Sequence, residues 1–338
     1  MSERSGEISV TTLGSAGDEF AEMVRDIKAG LQSEPKDLSR WPKYLYDDEG
    51  SRLFEEITVQ PEYYQTRTEL AILQEYSAEI IAGTGCREII ELGSGSSTKT
   101  RTLIEAMLAH TNGSGATYSP LDVSEGILVE SGETLMADYP DLDVRGYVGD
   151  FGGGSVGRVL AGEPEGGERL VVFLGGTIGN FVPEERTAFL EEIGAALAPD
   201  DALLLGMDLV KDRETLEAAY DDAAGITASF NKNLLSVLND RLAGEFDVEK
   251  FTHRSVYDKQ NERIEMWLHS REALSVKVGK LETEFHFEAG EGVRTELSHK
   301  FTRRSVESTL EQSGLDLVEL YTDEKERFSL ALAKRGRN

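Results

Sequence analysis

The sequence predicts an α/β protein in which a mostly parallel sheet is combined with a second, smaller domain. Strand-like apolar runs alternate with amphipathic helical segments from about residue 70 to about residue 210. This alternation is typical of the strand–helix–strand units that build a parallel sheet. It then stops and returns only near the C-terminus. A chain of 338 residues is also long enough for two domains.

Five strands are predicted in the alternating part, each as a short apolar run. They are REIIEL (87–92), YSPLDVS (118–124), VRGYVGDF (144–151), RLVVFLGG (169–176) and ALLLGMDLV (202–210). Helical spacing of apolar residues predicts helices over 98–110, 126–139 and 183–197. The glycine-rich stretch 152–167 is expected to be an exposed loop around one short helix.

The C-terminal segments complete the predicted sheet. SVESTLEQSG reads as a helix that ends at Gly314, because glycine readily adopts the left-handed conformation that closes a helix. LDLVELY and FSLALAK, separated by TDEKER, read as an antiparallel hairpin. A plain dinucleotide-binding domain has six parallel strands. Seven strands with a closing antiparallel hairpin are instead the pattern of class I methyltransferases, so we predict that Rossmann-like sheet.

The remaining segments predict a split α+β domain. Residues 211–300 combine a helical stretch from 211 to 242 with period-2 segments such as RIEMWLHS and ETEFHFE. We assign 67–210 and 301–338 to the sheet domain, 14–66 and 211–300 to a substrate-binding domain, and 1–13 to a flexible tail. The second domain is expected to cover the carboxyl edge of the sheet, where open α/β sheets bind their ligands.

Composition excludes several classes of function. The chain carries 63 acidic and 35 basic residues, a net charge of −28, which would repel nucleic acid. No run of 18 apolar residues predicts a membrane span, and the start MSERSGEISV lacks the features of a signal peptide. Cys86 is the single cysteine, and the five histidines show no ligand spacing with it, so no metal site is expected. These features predict a cytoplasmic protein, which we expect to be a monomer.

The turn ELGSGSSTKT (91–100) after the first strand admits three ligands. It is one residue from a phosphate-binding G-x-x-x-x-G-K-[ST] loop, but Thr98 replaces the second glycine. It also begins the dinucleotide motif G-x-G-x-x-G, with the same threonine at the third glycine position. Glu91 before Gly93 and Gly95 favours the third ligand, S-adenosylmethionine, since it completes the E/D-x-G-x-G turn of methyltransferases.

Acidic residues at successive strand ends support the same interpretation. Asp122 follows the second strand and could accept the two ribose hydroxyls of the cofactor. Asp150 and Phe151 follow the third strand and could contact the adenine ring. One such acid alone would be a helix-capping carboxylate; three of them favour a cofactor site.

Seven stretches of the sequence together resemble the histidine Nα-methyltransferases of ergothioneine biosynthesis over nearly the full length. They are PEYYQTRTE, ELGSGSSTKT, VVFLGGTIGN, LLLGMDLVKD, AYDDAAGITASFN, ERIEMWL and TELSHKF. The resemblance implies trimethylation of the α-amine of L-histidine by S-adenosylmethionine, giving hercynine, on a class I fold with a split substrate domain.

The resemblance also implies two sets of site residues. The cofactor set is Tyr46, Gly93, Lys99, Asp122, Asp150 and Phe151. The substrate set is Tyr63, Gly175, Asn180, Tyr220, Met266, Glu296 and Ser298. Tyr46 is also the expected catalytic residue, which would hydrogen-bond the amine or a water that carries its proton away. Lys99 would pair with the cofactor carboxylate, although by itself it reads as a solvated surface lysine.

The substrate residues have rationales of their own. Asn180 and Tyr220 could donate hydrogen bonds to the substrate carboxylate, although Tyr220, expected on a helix, would otherwise be a packed aromatic. Glu296 and Ser298 are two residues apart in a strand and would share one face, where they could hold both nitrogens of an imidazole. Met266 would wall the ring pocket, although on its own it reads as a core residue.

Three alternatives remain open at this stage. The same chemistry could act on another amine, such as a tryptophan derivative, but an indole has one donor and would not need the Glu296–Ser298 pair. A non-catalytic protein that keeps the cofactor fold is a second alternative. Nucleotide hydrolysis is the third.

Overall fold

The computed structural model of the chain describes residues 8–13, 16–150, 154–161 and 168–336. Within these residues the chain forms ten α-helices: α1 Ala16–Gln32, α2 Asp48–Thr58, α3 Tyr64–Thr84, α4 Arg101–Thr111, α5 Glu125–Asp138, α6 Ser155–Leu160, α7 Pro183–Ala196, α8 Arg213–Ala218, α9 Ile226–Leu242 and α10 Arg303–Gln312. The same residues form fourteen strands: β1 Ser9–Thr12, β2 Lys36–Asp37, β3 Glu88–Leu92, β4 Ala116–Asp122, β5 Leu142–Val148, β6 Arg169–Phe173, β7 Ala202–Asp208, β8 Phe251–Asp258, β9 Arg263–Ser270, β10 Leu274–Val278, β11 Thr283–Phe287, β12 Gly292–His299, β13 Leu315–Thr322 and β14 Phe328–Arg335.

The large sheet has the order β1-β5-β4-β3-β6-β7-β14-β13. β3 to β7 pair in parallel, whereas β14 runs antiparallel to both β7 and β13, as the closing hairpin requires. Every residue of β6 and β7 is buried, because a strand covered on both faces needs a continuous apolar run rather than an alternating one. The predicted class I methyltransferase sheet is therefore confirmed.

One edge of this sheet differs from the prediction. Ser9–Thr12 forms β1, which pairs in parallel with β5, so the sheet has eight strands among the described residues. The expected flexible tail over 1–13 is wrong for this segment. An edge strand needs only backbone pairing on one side, so its sequence, SVTT, carries little of the apolar signal that marks the inner strands.

A second body forms around its own apolar core. β2, β12, β9 and β8 make a four-stranded sheet, and β10 pairs with β11. Side chains from both ends of the split region share the core, among them Met23 and Ile27 from α1, Phe230 and Leu235 from α9, and Phe251 from β8. The core of this body is therefore built from stretches that are distant in the sequence.

The helical stretch predicted over 211–242 is interrupted. It forms α8 and α9, and the residues between them make a turn that contains Tyr220. Gly225 there has φ of 74°, which favours glycine, and the Asp222 carboxylate accepts from the N–H groups of Ile226 and Thr227 at 3.0 and 2.7 Å. These contacts start α9 anew, so the expectation that Tyr220 lies on a helix is wrong.

The two bodies meet where β12 crosses the carboxyl edge of the large sheet. His299 hydrogen-bonds through Nδ1 to the carbonyl of Gly179 at 2.9 Å, in the 3-10 turn Thr177–Asn180. A Cβ on Gly179 would lie 2.7 Å from the His299 carbonyl oxygen, so only glycine permits this approach. Phe301 forms a bridge with Leu209, just after β7. The contact therefore places β12 beside the ends of β6 and β7.

Candidate active site

A cavity lies at this junction. Junctions between two bodies of a protein are a common place for small-molecule sites. Residues from the large sheet and from the second body line it together. All seven predicted substrate residues and Tyr46 are among them: Tyr46, Tyr63, Gly175, Asn180, Tyr220, Met266, Glu296 and Ser298. The structure therefore brings these distant residues together around one cavity.

Glu296 is a buried carboxylate at the cavity wall. Its residue is 7% exposed, and its side chain makes no hydrogen bond or ion pair with any described residue. Burial raises the pKa of Glu296 to about 7, against the opposing charge of Lys300. A buried carboxylate without a partner costs free energy, so this group is arranged to meet a donor in the cavity.

The geometry of β12 gives Glu296 and Ser298 the same face. Both line the cavity and Leu297 between them does not, as the strand period predicts. A bulge between Arg294 and Glu296 shifts the register against β9 and sets Glu296 opposite Met266. Met266 is 1% exposed and lines the cavity, whereas its neighbour Trp267 does not.

Ser298 and Tyr220 belong to one hydrogen-bond network behind the cavity. The Tyr220 hydroxyl donates to Ser298 Oγ at 2.8 Å and accepts from Gln65 Nε2 at 2.9 Å. Lys300 Nζ donates to both hydroxyl oxygens, at 2.8 Å for Tyr220 and 2.9 Å for Ser298. The predicted bond from Tyr220 to a substrate carboxylate therefore requires Tyr220 to exchange its present acceptor.

Asp208 anchors this network at the end of β7. Its carboxylate pairs with Lys300 at 2.8 Å and Lys211 at 2.7 Å, and accepts from the Tyr64 hydroxyl at 2.8 Å. Burial opposes ionisation of Asp208, but the two lysines nevertheless hold its pKa below the ordinary value. Burial also lowers the pKa of Lys211 to about 8.

Gly175 and Asn180 follow the end of β6, where Gly175 brings a backbone group and Asn180 a side-chain amide to the cavity. The Asn180 carboxamide is half-buried and makes no hydrogen bond to the described residues, so it is available to a ligand. The Gly175 N–H donates to the Glu69 carboxylate at 2.8 Å. The N–H of Gly175 is therefore already engaged by the protein.

Tyr46 lies between the two predicted ligand regions. Its ring packs edge-on against Phe54 and Phe230, with centroids 5.5 and 5.4 Å away. Burial, and then the nearby charges of Glu296 and Asp122, raises the pKa of Tyr46 well above its ordinary value. The phenol therefore stays protonated at neutral pH and is not a general base.

The glycine turn has the open geometry expected of a cofactor loop. Gly93 and Gly95 have φ of 72° and 50°, and a Cβ on Gly95 would meet no atom within 4 Å. Asp122 holds the turn, since its carboxylate accepts from the N–H of Gly95 at 2.8 Å and of Ser124 at 3.0 Å.

Glu91 holds the glycine turn from its buried side. It accepts hydrogen bonds from Thr100 Oγ1 at 2.5 Å and from the Tyr118 hydroxyl. Burial raises the pKa of Glu91 to about 7. It thus holds the turn in place and does not line the cavity.

The other predicted cofactor residues have protein partners. Lys99 Nζ pairs with Glu69, whose side chain is fully buried. Asp150 accepts from Lys43 Nζ at 3.0 Å, and Lys43 also pairs with Glu22 at 3.2 Å. Phe151 lies outside the described residues.

Sequence reasoning missed Glu69, Gln65, Asp208 and Lys300. Two of them obey rules that were already in use. Asp208 ends a sheet strand, as Asp122 does, and Lys300 continues the i, i+2 series of Glu296 and Ser298. Gln65, which lines the cavity, and Glu69, which bonds Gly175 and Lys99, lie on α3, where nothing in the local sequence indicates either role.

Two searches of the described residues were negative. No group of three or more histidine, cysteine or acidic side chains there could hold a metal ion. None of the helices described is long and apolar enough to cross a membrane.

Comparisons with known proteins identify the family. The model of the family described as "Histidine-specific methyltransferase, SAM-dependent" matches residues 23–335. A histidine N-alpha-methyltransferase of Mycolicibacterium smegmatis is 46% identical over 95% of this chain and 97% of its own, and one of Mycobacterium tuberculosis is 43% identical over 92% and 94%. An L-tryptophan methyltransferase of Psilocybe serbica is 27% identical over 92% of each chain. The chain therefore belongs to the family of histidine-specific, S-adenosylmethionine-dependent methyltransferases.

Proposed function

We propose that this enzyme transfers three methyl groups from S-adenosylmethionine to the α-amino group of L-histidine and forms hercynine, the first step of ergothioneine biosynthesis. Glu296 carries the assignment of the substrate, because it is a buried acceptor on the cavity wall without a partner among the described residues. An imidazole N–H satisfies it, and Ser298 on the same face can serve the second ring nitrogen. An indole has no second nitrogen, which disfavours a tryptophan derivative.

The remaining cavity residues hold the amino-acid end of the substrate. The Asn180 carboxamide donates to the carboxylate, while the Tyr220 hydroxyl, which was predicted to join it, keeps its hydrogen bond to Ser298 and fixes that side chain beside the ring. Met266 and Tyr63 wall the cavity. Because each methylation replaces an N–H donor by a methyl group, three rounds require that the grip be on the carboxylate and ring rather than on the amine.

The glycine turn and the neighbouring strand ends fit the cofactor. The exposed Gly93 and the open side of Gly95 allow a ligand to approach the backbone closely. When bound, S-adenosylmethionine supplies the methyl group from a sulfonium that is its own leaving group. We assign the ribose to Asp122, the carboxylate to Lys99, and the adenine to Asp150 and Phe151.

Tyr46 orients the amine or the water that removes its proton. Its raised pKa keeps the hydroxyl protonated, so it acts through hydrogen bonds. The protein then mainly aligns donor and acceptor, a contribution that can be large by itself.

Mass spectrometry tests this function. The purified protein is incubated with S-adenosylmethionine and L-histidine, with L-tryptophan in a parallel tube. We expect a gain of three methyl groups on histidine alone. A folded protein that binds the cofactor but leaves histidine unmethylated would contradict the proposal.

The net charge of −28 supports a small-molecule substrate rather than nucleic acid. A monomer in the cytoplasm remains a prediction, which sedimentation analysis and cell fractionation would check.

A further inference from the structure

Lys300 is a fully buried cation directly behind the cavity. Its side chain is 0% exposed, and Nζ donates to three acceptors: Asp208 at 2.8 Å, Tyr220 at 2.8 Å and Ser298 at 2.9 Å. An ammonium group has three N–H donors and no acceptor. All three donors of Lys300 are therefore in use, and the hydroxyl oxygens of Tyr220 and Ser298 must each accept from it.

Donation from Lys300 also fixes the direction of the hydrogen bond between Tyr220 and Ser298. The Tyr220 oxygen accepts from Lys300 and also from Gln65 Nε2 at 2.9 Å. Both acceptor positions of the Tyr220 oxygen are then filled, so the hydroxyl can only donate. It donates its hydrogen to Ser298 Oγ, 2.8 Å away. Tyr220 is thus a donor toward the cavity side of the network.

Ser298 receives two hydrogen bonds, one from Lys300 and one from Tyr220. A serine hydroxyl has two acceptor lone pairs and one hydrogen, so the O–H is what Ser298 can offer to the cavity. The restriction holds while Tyr220 keeps its bond to Ser298, so the substrate carboxylate is held by Asn180 and both lone pairs of Ser298 stay occupied. Beside this donor, Glu296 offers an acceptor on the same face.

We propose that Lys300 is a positioning residue that makes Ser298 a hydrogen-bond donor, so that the Glu296–Ser298 pair selects a neutral ring with one N–H and one unprotonated nitrogen. The inference rests on the proposed function, since it specifies which form of the histidine ring the same cavity takes. An imidazolium carries N–H groups on both nitrogens, and one of them would face the Ser298 O–H instead of an acceptor. Lys300 acts through Ser298 and does not itself touch the ring.

Several ionisable groups surround the Glu296–Ser298 pair, and their titration must be distinguished from titration of the substrate ring. Glu296 has a pKa of about 7 and Lys211 of about 8, so both change charge near neutrality. Asp208 lies behind Ser298, and four tyrosines, at 46, 63, 64 and 220, surround the network. With a substrate whose ring does not titrate, any change of KM with pH reflects these protein groups and not the ring.

The first experiment therefore compares L-histidine with 1,2,4-triazolylalanine, whose ring has an N–H and bare nitrogens but stays uncharged near neutrality. The KM of the wild-type enzyme is measured for both from about pH 6 to pH 8.5, which spans the ordinary histidine pKa of about 6.5. We expect the ratio of the two KM values, histidine over triazole, to rise severalfold toward acid pH. A ratio that is constant over this range would overturn the inference.

The second experiment compares Lys300→Met with Lys211→Met. Both lysines pair with Asp208, but only Lys300 bonds to Ser298. In Lys300→Met we expect the histidine KM at pH 8 to rise about tenfold or more, and the acid-side rise in the KM ratio to flatten, because Ser298 can then accept from a ring N–H. Lys211→Met should keep the wild-type pH profile. Equal losses in the two variants, or an unchanged profile in Lys300→Met, would contradict the role of Lys300.

If Lys300→Met does not fold, Ser298→Ala and the wild-type profile decide. Ser298→Ala removes the donor and should flatten the KM ratio in the same way. A wild-type enzyme that methylates neither substrate contradicts the proposed function and the inference with it. Methylation of both substrates with a constant KM ratio contradicts the inference alone.

Discussion

The proposed substrate side and the proposed cofactor side of the site differ in how their polar groups are satisfied. On the substrate side, Glu296 and Asn180 line the cavity without a hydrogen bond to any described residue. On the cofactor side, Asp122 holds two backbone N–H groups, Lys99 pairs with Glu69, and Asp150 pairs with Lys43. Glu296 and Asn180 are thus prepared to form new bonds, whereas Asp122, Lys99 and Asp150 must share or exchange bonds that they already have.

This difference predicts where substitutions will act. A group without a protein partner contributes to binding and little to the fold, so its loss should appear in the substrate affinity. A group that already bonds the protein contributes to both, so its loss should lower the cofactor affinity and the stability together. Glu69 connects the two sides, because it bonds both Lys99 and the Gly175 N–H.

Replacement of Glu296 should have the largest effect. Glu296→Ala is expected to weaken histidine binding by roughly 2–3 kcal/mol, the usual cost of one charge-assisted hydrogen bond to a buried group. Cofactor affinity and the melting temperature should stay close to wild type. Calorimetric titration measures this, with the exposed Glu284→Ala on β11 as a control. Normal histidine binding by Glu296→Ala would remove Glu296 from the site.

Tyr46→Phe should have a moderate effect on turnover. It removes one hydroxyl from a ring that is held by Phe54 and Phe230, so packing and cofactor binding should remain. We expect kcat to fall about tenfold, which corresponds to about 1.4 kcal/mol. Single-turnover kinetics at saturating substrates would check this. Unchanged turnover with weaker cofactor binding would show that Tyr46 serves only the cofactor.

Asp122→Asn should have the smallest effect on binding and a detectable one on stability. The carboxylate accepts from the Gly95 and Ser124 N–H groups through its two oxygens. The amide keeps one oxygen acceptor and loses the negative charge. We expect the cofactor affinity and the unfolding free energy each to fall by about 1 kcal/mol, with histidine affinity unchanged. Denaturant unfolding with cofactor titration measures both. A loss of cofactor affinity without any loss of stability would contradict the shared role of this carboxylate.

The inner strands, the closing hairpin and the acidic residues at the strand ends could be predicted because they follow short-range rules. Strand ends supplied Asp122 and Asp150, whereas Glu296 and Ser298 came from the family resemblance and the period-2 rule placed them on one face. The same rules extend to Asp208, which ends β7, and to Lys300, two residues after Ser298, although neither was predicted. By contrast, the bulge before Glu296 depends on pairing with β9, and Glu69 reaches Gly175 across 106 residues. No local pattern records such contacts, and the break at Tyr220 depends on a cap at Asp222.

The central claim is that Glu296 recognises a ring N–H of histidine, and a binding cycle tests it directly. L-histidine and thienylalanine, whose five-membered ring lacks nitrogen, are titrated calorimetrically into the wild-type enzyme and Glu296→Ala. The cycle isolates the interaction between the carboxylate and the ring nitrogens from changes in packing. We predict a coupling free energy of about 2 kcal/mol or more in favour of histidine with the wild type. A coupling free energy near zero would contradict the account, because Glu296 would then not recognise the ring.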